Sequence, residues 1–186
     1  MTGTPRSPRI APLPPDERVG QARELLDMAS VGTGPDANIF ATLVRAPGLY
    51  RKWIPLGGKL LNGKLPPRDR EILILRTGWN CRAEYEWAQH ARIALGCDIT
   101  VEEVARIADG PRAPGWSAFD ATLLQAADEL HASSTLTDDT WSALSERYDV
   151  AQLIEVPMLV GHYHMVAMAL NSLGVQLDAG LTGFPA

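Results

Sequence analysis

Apolar residues recur through most of the chain at intervals of three and four positions, which is the spacing of one face of an α-helix. The run from Ile72 to Leu75 is continuously apolar, as a short buried strand would also be, but no other segment offers a comparable partner strand. The pattern therefore predicts an all-α fold, a single-domain helical bundle. Helices are expected over residues 16–29, 36–61, 65–80, 83–95, 100–108, 117–133, 137–148 and 151–173.

Breaker residues and capping patterns mark several helix ends. Gly32 to Pro35 is expected to end the first helix, and Asn62-Gly63 the second. Thr100 followed three residues later by Glu103 predicts a capping box. The last helix is apolar around most of its circumference, so it is predicted to be a central buried helix or an oligomer-contact helix. Pro157 should kink it or mark its true start.

Composition narrows the class of protein. Residues 1–15 hold five of the fourteen prolines and are predicted to form a proline-rich arm, which leaves residues 16–186 as the helical domain. A formal net charge of -5 with scattered basic residues argues against nucleic-acid binding. No apolar run approaches the length of about 18 residues that a membrane span needs, and the N-terminus lacks the apolar section of a signal peptide. A cytoplasmic protein without membrane contact is expected.

The two cysteines, Cys81 and Cys97, are too few for a disulfide framework, and their spacing matches no common metal-binding pattern. Both are predicted to be reduced thiols, and neither a metal nor another cofactor is expected. Cys81 would be reactive only if a helix N-terminus lowered its pKa, and a half-buried inert thiol is the commoner outcome. Cys97 is expected to serve packing.

The chemistry-bearing group is Glu86 with His90, spaced i to i+4 on one helix face. A carboxylate and an imidazole in that geometry can hold one another in the protonation state that a general acid or base requires. Trp79, Tyr85 and Trp87 supply aromatic surface nearby, which would desolvate the pair and move its pKa values toward neutrality. A solvated surface pair is the alternative interpretation.

Other candidates lie outside this group. Arg76 sits beside apolar residues and is a candidate clamp for a substrate carboxylate. His162 and His164 point about 200 degrees apart on a helix, so they cannot share one ion, and one of them is expected to line the pocket. His164 is the one assigned to substrate binding. His131 is expected to cap the C-terminal end of its helix.

The string RDREILILRTGWNCRAEYEWAQHARIALG resembles the carboxymuconolactone decarboxylase family of the alkylhydroperoxidase-like superfamily. The core motif of that superfamily is a Glu and, twelve residues on, C-x-x-C-x-x-x-H. Glu71 stands at the Glu, Ala83 and Glu86 stand at the two cysteines, and His90 stands at the histidine. The flanking L-P-x-R-x-R-E-I and the later G-H-Y-H-M also resemble the family, and the likeness covers residues 36–180. Both redox cysteines of the superfamily's peroxidases are therefore replaced.

The resemblance implies a carboxy-lyase rather than a peroxidase, since no dithiol remains. It implies non-redox acid-base decarboxylation, or a related lyase reaction, of a small carboxylated lactone or keto acid. His90 would be the proton donor, Glu71 and Glu86 would orient it or shuttle the proton, and Tyr85 would donate to a developing oxyanion. The alternatives are a non-catalytic helical oligomer that binds a small ligand and a single-cysteine peroxidase using Cys81. The family likeness also implies a homo-oligomer, a trimer or hexamer.

Overall fold

The structure is a computed structural model and describes residues 7–29, 34 and 36–185. Within these residues it contains a 3₁₀ turn, nine α-helices and no strand, which confirms the all-α prediction. The 3₁₀ turn is Pro15–Glu17. The helices are α1 (Gln21–Asp27), α2 (Asn38–Leu43), α3 (Pro47–Leu61), α4 (Pro67–Asn80), α5 (Glu84–Ala94), α6 (Val101–Asp109), α7 (Ala118–Ser133), α8 (Asp138–Ser145) and α9 (Val150–Leu173).

Two of the predicted helices are divided in the structure. The stretch predicted over 16–29 is the 3₁₀ turn followed by α1. The stretch predicted over 36–61 is divided into α2 and α3, because Pro47 has no N–H to continue the α2 ladder and instead suits the first turn of α3. Residues 1–6 of the predicted arm, and all of the predicted Gly32–Pro35 breaker except Gly34, lie outside the described residues.

Helix α4 lies at the centre of the bundle. It packs against α5, α6, α7 and α9, and Ile72 to Leu75 are completely buried. The continuous apolar run is therefore a helix covered on every side, which explains why it lacks the polar stripe of a surface helix. Because α4 touches α5 along its length, side chains from these two helices can meet in the interior.

Helix α9 packs on α4 with one face and exposes the other. The capping-box residues Thr100 and Glu103 cap α6 as predicted, and Asp149 with Gln152 caps α9 in the same way. Pro157 lies inside α9 and does not end it. By length and composition alone α9 is the one helix in the described part of the chain that could cross a membrane, a test that core helices also pass. Its exposed apolar residues are Val150, Ile154, Met158, Met165 and Met168.

Candidate functional site

Helices α2, α3, α5 and α9 enclose a cavity of about 390 Å³ whose walls are mainly apolar. Phe40, Trp53 and Val166 supply much of this apolar surface. The polar side chains on its wall come chiefly from α5 and from the middle of α9. A space of this size suits a small organic ligand that makes few, well-defined polar contacts.

A buried carboxylate orients His90 at the cavity wall. Glu71 on α4 accepts a hydrogen bond from Nδ1 of His90 through Oε2, at 2.7 Å, and the Glu71 side chain is completely buried. Arg70 pairs with the other oxygen, Nε to Oε1, at 2.8 Å. Burial alone would raise the pKa of Glu71, but His90 and Arg70 together lower it below its ordinary value. The ionised Glu71 therefore fixes the hydrogen on Nδ1 and leaves Nε2 of His90 as the free ring nitrogen.

Arg70 is itself held in place by other parts of the fold. Its Nη1 donates to the carbonyl of Leu61 at 2.6 Å, and its Nη2 lies 3.6 Å from Sγ of Cys97. The chain of contacts from Arg70 through Glu71 to His90 is thus held in place by Leu61 at the end of α3 and by Cys97 just after α5. The predicted pairing of Glu86 with His90 is not made, and Glu71 from the neighbouring helix bonds to Nδ1 instead.

Glu86 is a buried carboxyl group without a partner. Both of its oxygens are inaccessible and make no hydrogen bond with any residue that the structure describes. Burial raises the pKa of Glu86 well above its ordinary value. Its place in the first turn of α5 works in the opposite direction, but the helix dipole is worth only about 0.3–1 kcal/mol, less than one pKa unit. Desolvation prevails, and Glu86 is a neutral carboxylic acid at the cavity wall.

The space around Glu86 is made by a glycine on α4. A Cβ at Gly78 would lie 3.2 Å from Oε1 of Glu86 and 3.6 Å from the backbone nitrogen of Trp87. The absence of a side chain at this position lets α4 and α5 approach closely enough to bury the carboxyl group. Gly78 is therefore a functional residue that the sequence pattern did not single out.

Tyr85 lines the cavity, but its hydroxyl hydrogen is committed elsewhere. The hydroxyl donates to Oδ2 of Asp178 at 2.5 Å and accepts the backbone N–H of Ile39 at 3.2 Å. Nε2 of Gln89 also donates to both the Tyr85 oxygen and Asp178. Burial and the adjacent Asp178 raise the pKa of Tyr85 far above its ordinary range. Tyr85, the predicted oxyanion donor, therefore stabilises the cavity wall and has no hydroxyl hydrogen free to donate.

Gln89 presents an unused acceptor at the same wall. Its Oε1 is buried and has no hydrogen-bond partner in the described chain, while its Nε2 is held by Tyr85 and Asp178. A ligand with a hydroxyl or N–H group would satisfy this oxygen. Gln89 was not among the residues chosen from the sequence, although its i+4 spacing from Tyr85 places it on the same face of α5.

The opposite wall is aromatic. The imidazole of His162 stacks on Trp53 with ring centroids 6.4 Å apart and an interplanar angle of 10°. Burial lowers the pKa of His162, and its Nδ1 has no partner among the described residues. Tyr163 meets His90 edge to face at 4.9 Å. His162 rather than His164 faces the cavity, so the assignment of His164 to substrate binding is corrected, and the two side chains diverge as their spacing requires.

Comparison with known proteins identifies the stretch that carries this geometry. Residues 47–129 match the sequence profile of the carboxymuconolactone decarboxylase family. This stretch belongs to that family. It includes Glu71, Glu86 and His90, so the resemblance drawn from the motif is confirmed. No curated protein matches the sequence.

Solved structures show the same fold at low sequence identity. A cysteine-to-alanine variant of the debrominase Bmp8 in complex with 2,3,4-tribromopyrrole is 14% identical, with a TM-score of 0.78 and 94% of each chain covered. The alkylhydroperoxidase AhpD core protein from Ralstonia eutropha JMP134, an uncharacterized peroxidase-related protein, is 16% identical with a TM-score of 0.74, covering 90% of this chain and 87% of its own. A peroxidase-related protein from Silicibacter sp. TM1040 is 13% identical with the same TM-score, covering 96% and 93%.

Several residues predicted for the site lie elsewhere in the structure. Arg76 does not line the cavity, since its Nε and Nη2 bind the carboxylate of Asp128 at 2.6 and 2.9 Å. Its Nη1 donates to two backbone carbonyls at the end of α6. Trp79 and Trp87 pack against Phe184 in an aromatic cluster of the core and are likewise not part of the cavity wall. These two side chains, predicted to supply aromatic surface near Glu86 and His90, belong to the core of the bundle.

Cys81 also lies outside the cavity wall. Burial, and to a lesser degree Glu86, raise the pKa of Cys81 to about 12. The helix N-terminus that might have activated the thiol is not available, because Cys81 caps the C-terminal end of α4. Ala83, at the first cysteine position of the motif, is buried at the N-cap of α5. The side chains near Cys81 are those of His131 and His164, and His131 lies in the last turn of α7 as predicted.

Proposed function

We propose that this protein is a small-molecule lyase that removes carbon dioxide from a carboxylated ring compound or keto acid by proton transfer, without redox chemistry. The observation behind this proposal is Glu86, a neutral carboxylic acid with no partner at the wall of an apolar cavity. Family membership supports the general class, and the replacement of both motif cysteines favours acid-base chemistry over a dithiol cycle.

The cavity favours loss of carbon dioxide from a bound carboxylate. A carboxylate is stabilised by water, and a mainly apolar wall replaces that water with groups that solvate the ion poorly. In the transition state the charge spreads from the carboxylate into the rest of the molecule, so desolvation penalises the reactant more than the transition state. A neutral Glu86 avoids the repulsion that a second carboxylate would exert on the substrate.

Residues on the cavity wall can donate the protons that the reaction needs. The bond between the carboxyl carbon and its neighbour breaks, carbon dioxide leaves, and the electron pair remains as an enolate. Glu86, whose enclosed oxygens must first turn toward the bound substrate, delivers its proton to that carbon and becomes a carboxylate. Because an ionised, unpartnered Glu86 is unfavourable in this environment, it regains a proton from solvent before the next turnover. In its protonated form, His90 would donate Nε2–H to the enolate oxygen while Glu71 balances the charge.

The shape of the cavity supports a small planar substrate. Trp53 and His162 form a flat aromatic wall, and Oε1 of Gln89 offers an acceptor for a hydroxyl or N–H group. The structural neighbour Bmp8 is described in complex with 2,3,4-tribromopyrrole, which is a small planar ring. We infer a mono- or bicyclic ring, or a keto acid of similar size, as the substrate class.

Carbon dioxide release tests the proposal directly. The purified protein is incubated with a panel of carboxylated lactones and β-keto acids, beside Glu86→Gln, His90→Ala and the control Glu146→Gln, which changes an exposed glutamate. Release by the wild type and the control that falls at least about 100-fold in both site variants supports the mechanism. Equal release in all four proteins refutes the roles of Glu86 and His90. If no compound releases carbon dioxide but several raise the melting temperature, the protein is a ligand-binding module and not a lyase of these substrates.

Self-association remains the expectation for this fold. Five large apolar residues of α9 are exposed along one side of the helix, between Val150 and Met168. A second copy of the chain would cover them, which supports the proposal of a homo-oligomer. Sedimentation equilibrium would show a trimer or hexamer, whereas a monomer at high concentration would contradict the proposal.

A further inference from the structure

Three metal-ligating side chains converge outside the cavity wall. Cys81 comes from the C-terminal end of α4, His131 from the last turn of α7, and His164 from the middle of α9. Sγ of Cys81 lies 3.8 Å from Nδ1 of His131, which lies 2.9 Å from Nε2 of His164. All three atoms lie within 4.8 Å of one another.

These separations are close to those of a tetrahedral zinc site. With Zn–S bonds of about 2.3 Å and Zn–N bonds of about 2.0–2.1 Å, tetrahedral angles place sulfur about 3.5 Å from nitrogen and the two nitrogens about 3.3 Å apart. The Cys81 to His131 distance is a little longer than this value and the His131 to His164 distance a little shorter. The third separation, from Cys81 to His164, is at most 4.8 Å, and side-chain rotations that shorten it would complete the coordination.

The orientation of His164 is fixed as it is in metal ligands. Its Nδ1 lies 2.8 Å from the carbonyl of Val160, which can only accept, so Nδ1 carries the hydrogen and Nε2 directs its lone pair into the cluster. The backbone of Cys81 is anchored as well, because Nδ2 of Asn171 donates to its carbonyl at 2.9 Å. Two of the three ligands are thus positioned by hydrogen bonds to atoms that would not touch the ion.

His131 can supply the third ligand by a change of tautomer. In the metal-free protein its Nδ1 must donate to the lone pair on His164, since Nε2 of His164 has no hydrogen. The His131 side chain is exposed, so its Nε2 can carry the hydrogen instead and meet solvent. Nδ1 then offers its lone pair to an ion. Exposure of His131 also gives an ion a route of entry from solvent.

We propose that Cys81, His131 and His164 bind one divalent zinc-type cation, with a fourth position open to water. One thiolate and two imidazoles form a donor set that zinc accepts. Binding displaces the thiol proton of Cys81 to solvent and involves no change of oxidation state. The ion would join α4, α7 and α9, whereas without it the histidine pair joins α7 to α9 alone. This site is separate from the proposed lyase cavity.

The test uses untagged, metal-stripped protein, since an affinity tag of histidines would bind the same ions. Zn²⁺ is titrated against a chromogenic chelator, and Co²⁺ is added separately to record the thiolate-to-cobalt charge-transfer band. We expect one equivalent of Zn²⁺, a charge-transfer band, and a higher melting temperature with Zn²⁺, because an ion that binds only the folded state stabilises it. Absence of the band in wild-type protein would overturn the proposal.

Matched variants assign the ligands. Cys81→Ser should abolish the cobalt band and weaken Zn²⁺ binding by more than about 100-fold, whereas Cys97→Ser, which changes the other free cysteine, should leave both intact. His131→Gln provides a second test at an exposed position, where folding is not at risk, and should also weaken binding. Zn²⁺ binding that is equal in wild type, Cys81→Ser and His131→Gln would refute the site, as would loss of the band in Cys97→Ser alone.

Discussion

Replacement of Glu86 by glutamine should make the protein more stable at neutral pH, although the residue is completely enclosed. The carboxyl group has no hydrogen-bond partner within the described chain, and burial raises its pKa well above the ordinary value. Glutamine has nearly the same shape and cannot ionise. Glu86→Gln thus removes the titration and leaves the packing of the cavity wall almost unchanged.

The size of the effect depends on pH in a defined direction. In the unfolded chain Glu86 loses its proton near its ordinary pKa of about 4.3, while the folded protein retains the proton to higher pH. The folded state then binds one more proton than the unfolded state, so the stability contribution that is fully present below pH 4.3 or so is lost as pH rises toward the folded pKa. The wild type should lose about 1.4 kcal/mol per pH unit relative to the glutamine variant in this window.

Urea unfolding of both proteins between about pH 5 and pH 8 measures this difference. Other shifted groups, such as Glu71 with its lowered pKa and His162 with its own, are common to both proteins and cancel in the comparison. We expect the free energy of unfolding of Glu86→Gln to exceed that of the wild type by an amount that grows with pH. A difference that stays constant across the range would show that Glu86 has the same pKa in the folded and the unfolded protein. The inference that Glu86 is a neutral acid in the folded protein would then be wrong.

Three further experiments test the cavity wall, the ion pair of Arg76 and the reactivity of Cys81. Gly57→Ala should weaken ligand binding about tenfold, because the added Cβ would lie 3.3 Å from Nε2 of His162 and displace the cavity wall; the Kd of the best ligand in the panel measures this. Arg76→Met should lower the free energy of unfolding by about 2 kcal/mol without changing KM, since it removes the ion-pair partner of Asp128 and leaves that carboxylate only the hydrogen bond from Asn80, while it touches no ligand. Alkylation of metal-free Cys81 should be at least about 100-fold slower at neutral pH than that of a free thiol, with a rate that rises to about pH 12, as its raised pKa requires.

Each of these has a matched control. Gly48→Ala changes an exposed glycine of the same helix, α3, whose new Cβ would meet nothing within 4 Å, so it should leave binding unchanged. Arg112→Met changes an exposed arginine and should leave stability nearly unchanged. The alkylation is measured in Cys97→Ser so that the rate belongs to Cys81. Rapid alkylation of Cys81 in this variant would support the hypothesis of a single-cysteine peroxidase. A raised KM in Arg76→Met would support the hypothesis that Arg76 binds a substrate carboxylate.

The helices could be predicted from local patterns because their causes are local. The Thr100 capping box and the apolar period of α7 depend on residues a few positions apart, and the structure contains both elements. The misplaced boundaries have local causes as well. Pro47 can begin a helix as readily as it can end one, so the pattern alone left α2 and α3 joined.

The site was only partly predictable because its partners are distant in sequence. Glu86 and His90 share a helix face as their spacing indicates, but the imidazole bonds to Glu71, which the motif resemblance had identified and the periodicity had not. Arg76 finds Asp128 after a separation of 52 residues, and no local pattern announces that pair. Sequence patterns for metal sites depend on ligands that are close together in the chain. They therefore do not detect Cys81, His131 and His164, which come from three different helices.

The replacement of the motif cysteines changes the chemistry without removing the proton donor. The first turn of α5 directs the residue at position 86 toward the cavity, and in the peroxidases that this motif resembles that residue is a thiol. Here it is Glu86, which burial keeps protonated, while the other cysteine position holds Ala83, which has no exchangeable hydrogen. A carboxyl group and a methyl group cannot form a disulfide, so two-electron exchange at these positions is impossible. Proton transfer from Glu86, beside an imidazole fixed by Glu71, is the reactivity that this arrangement retains.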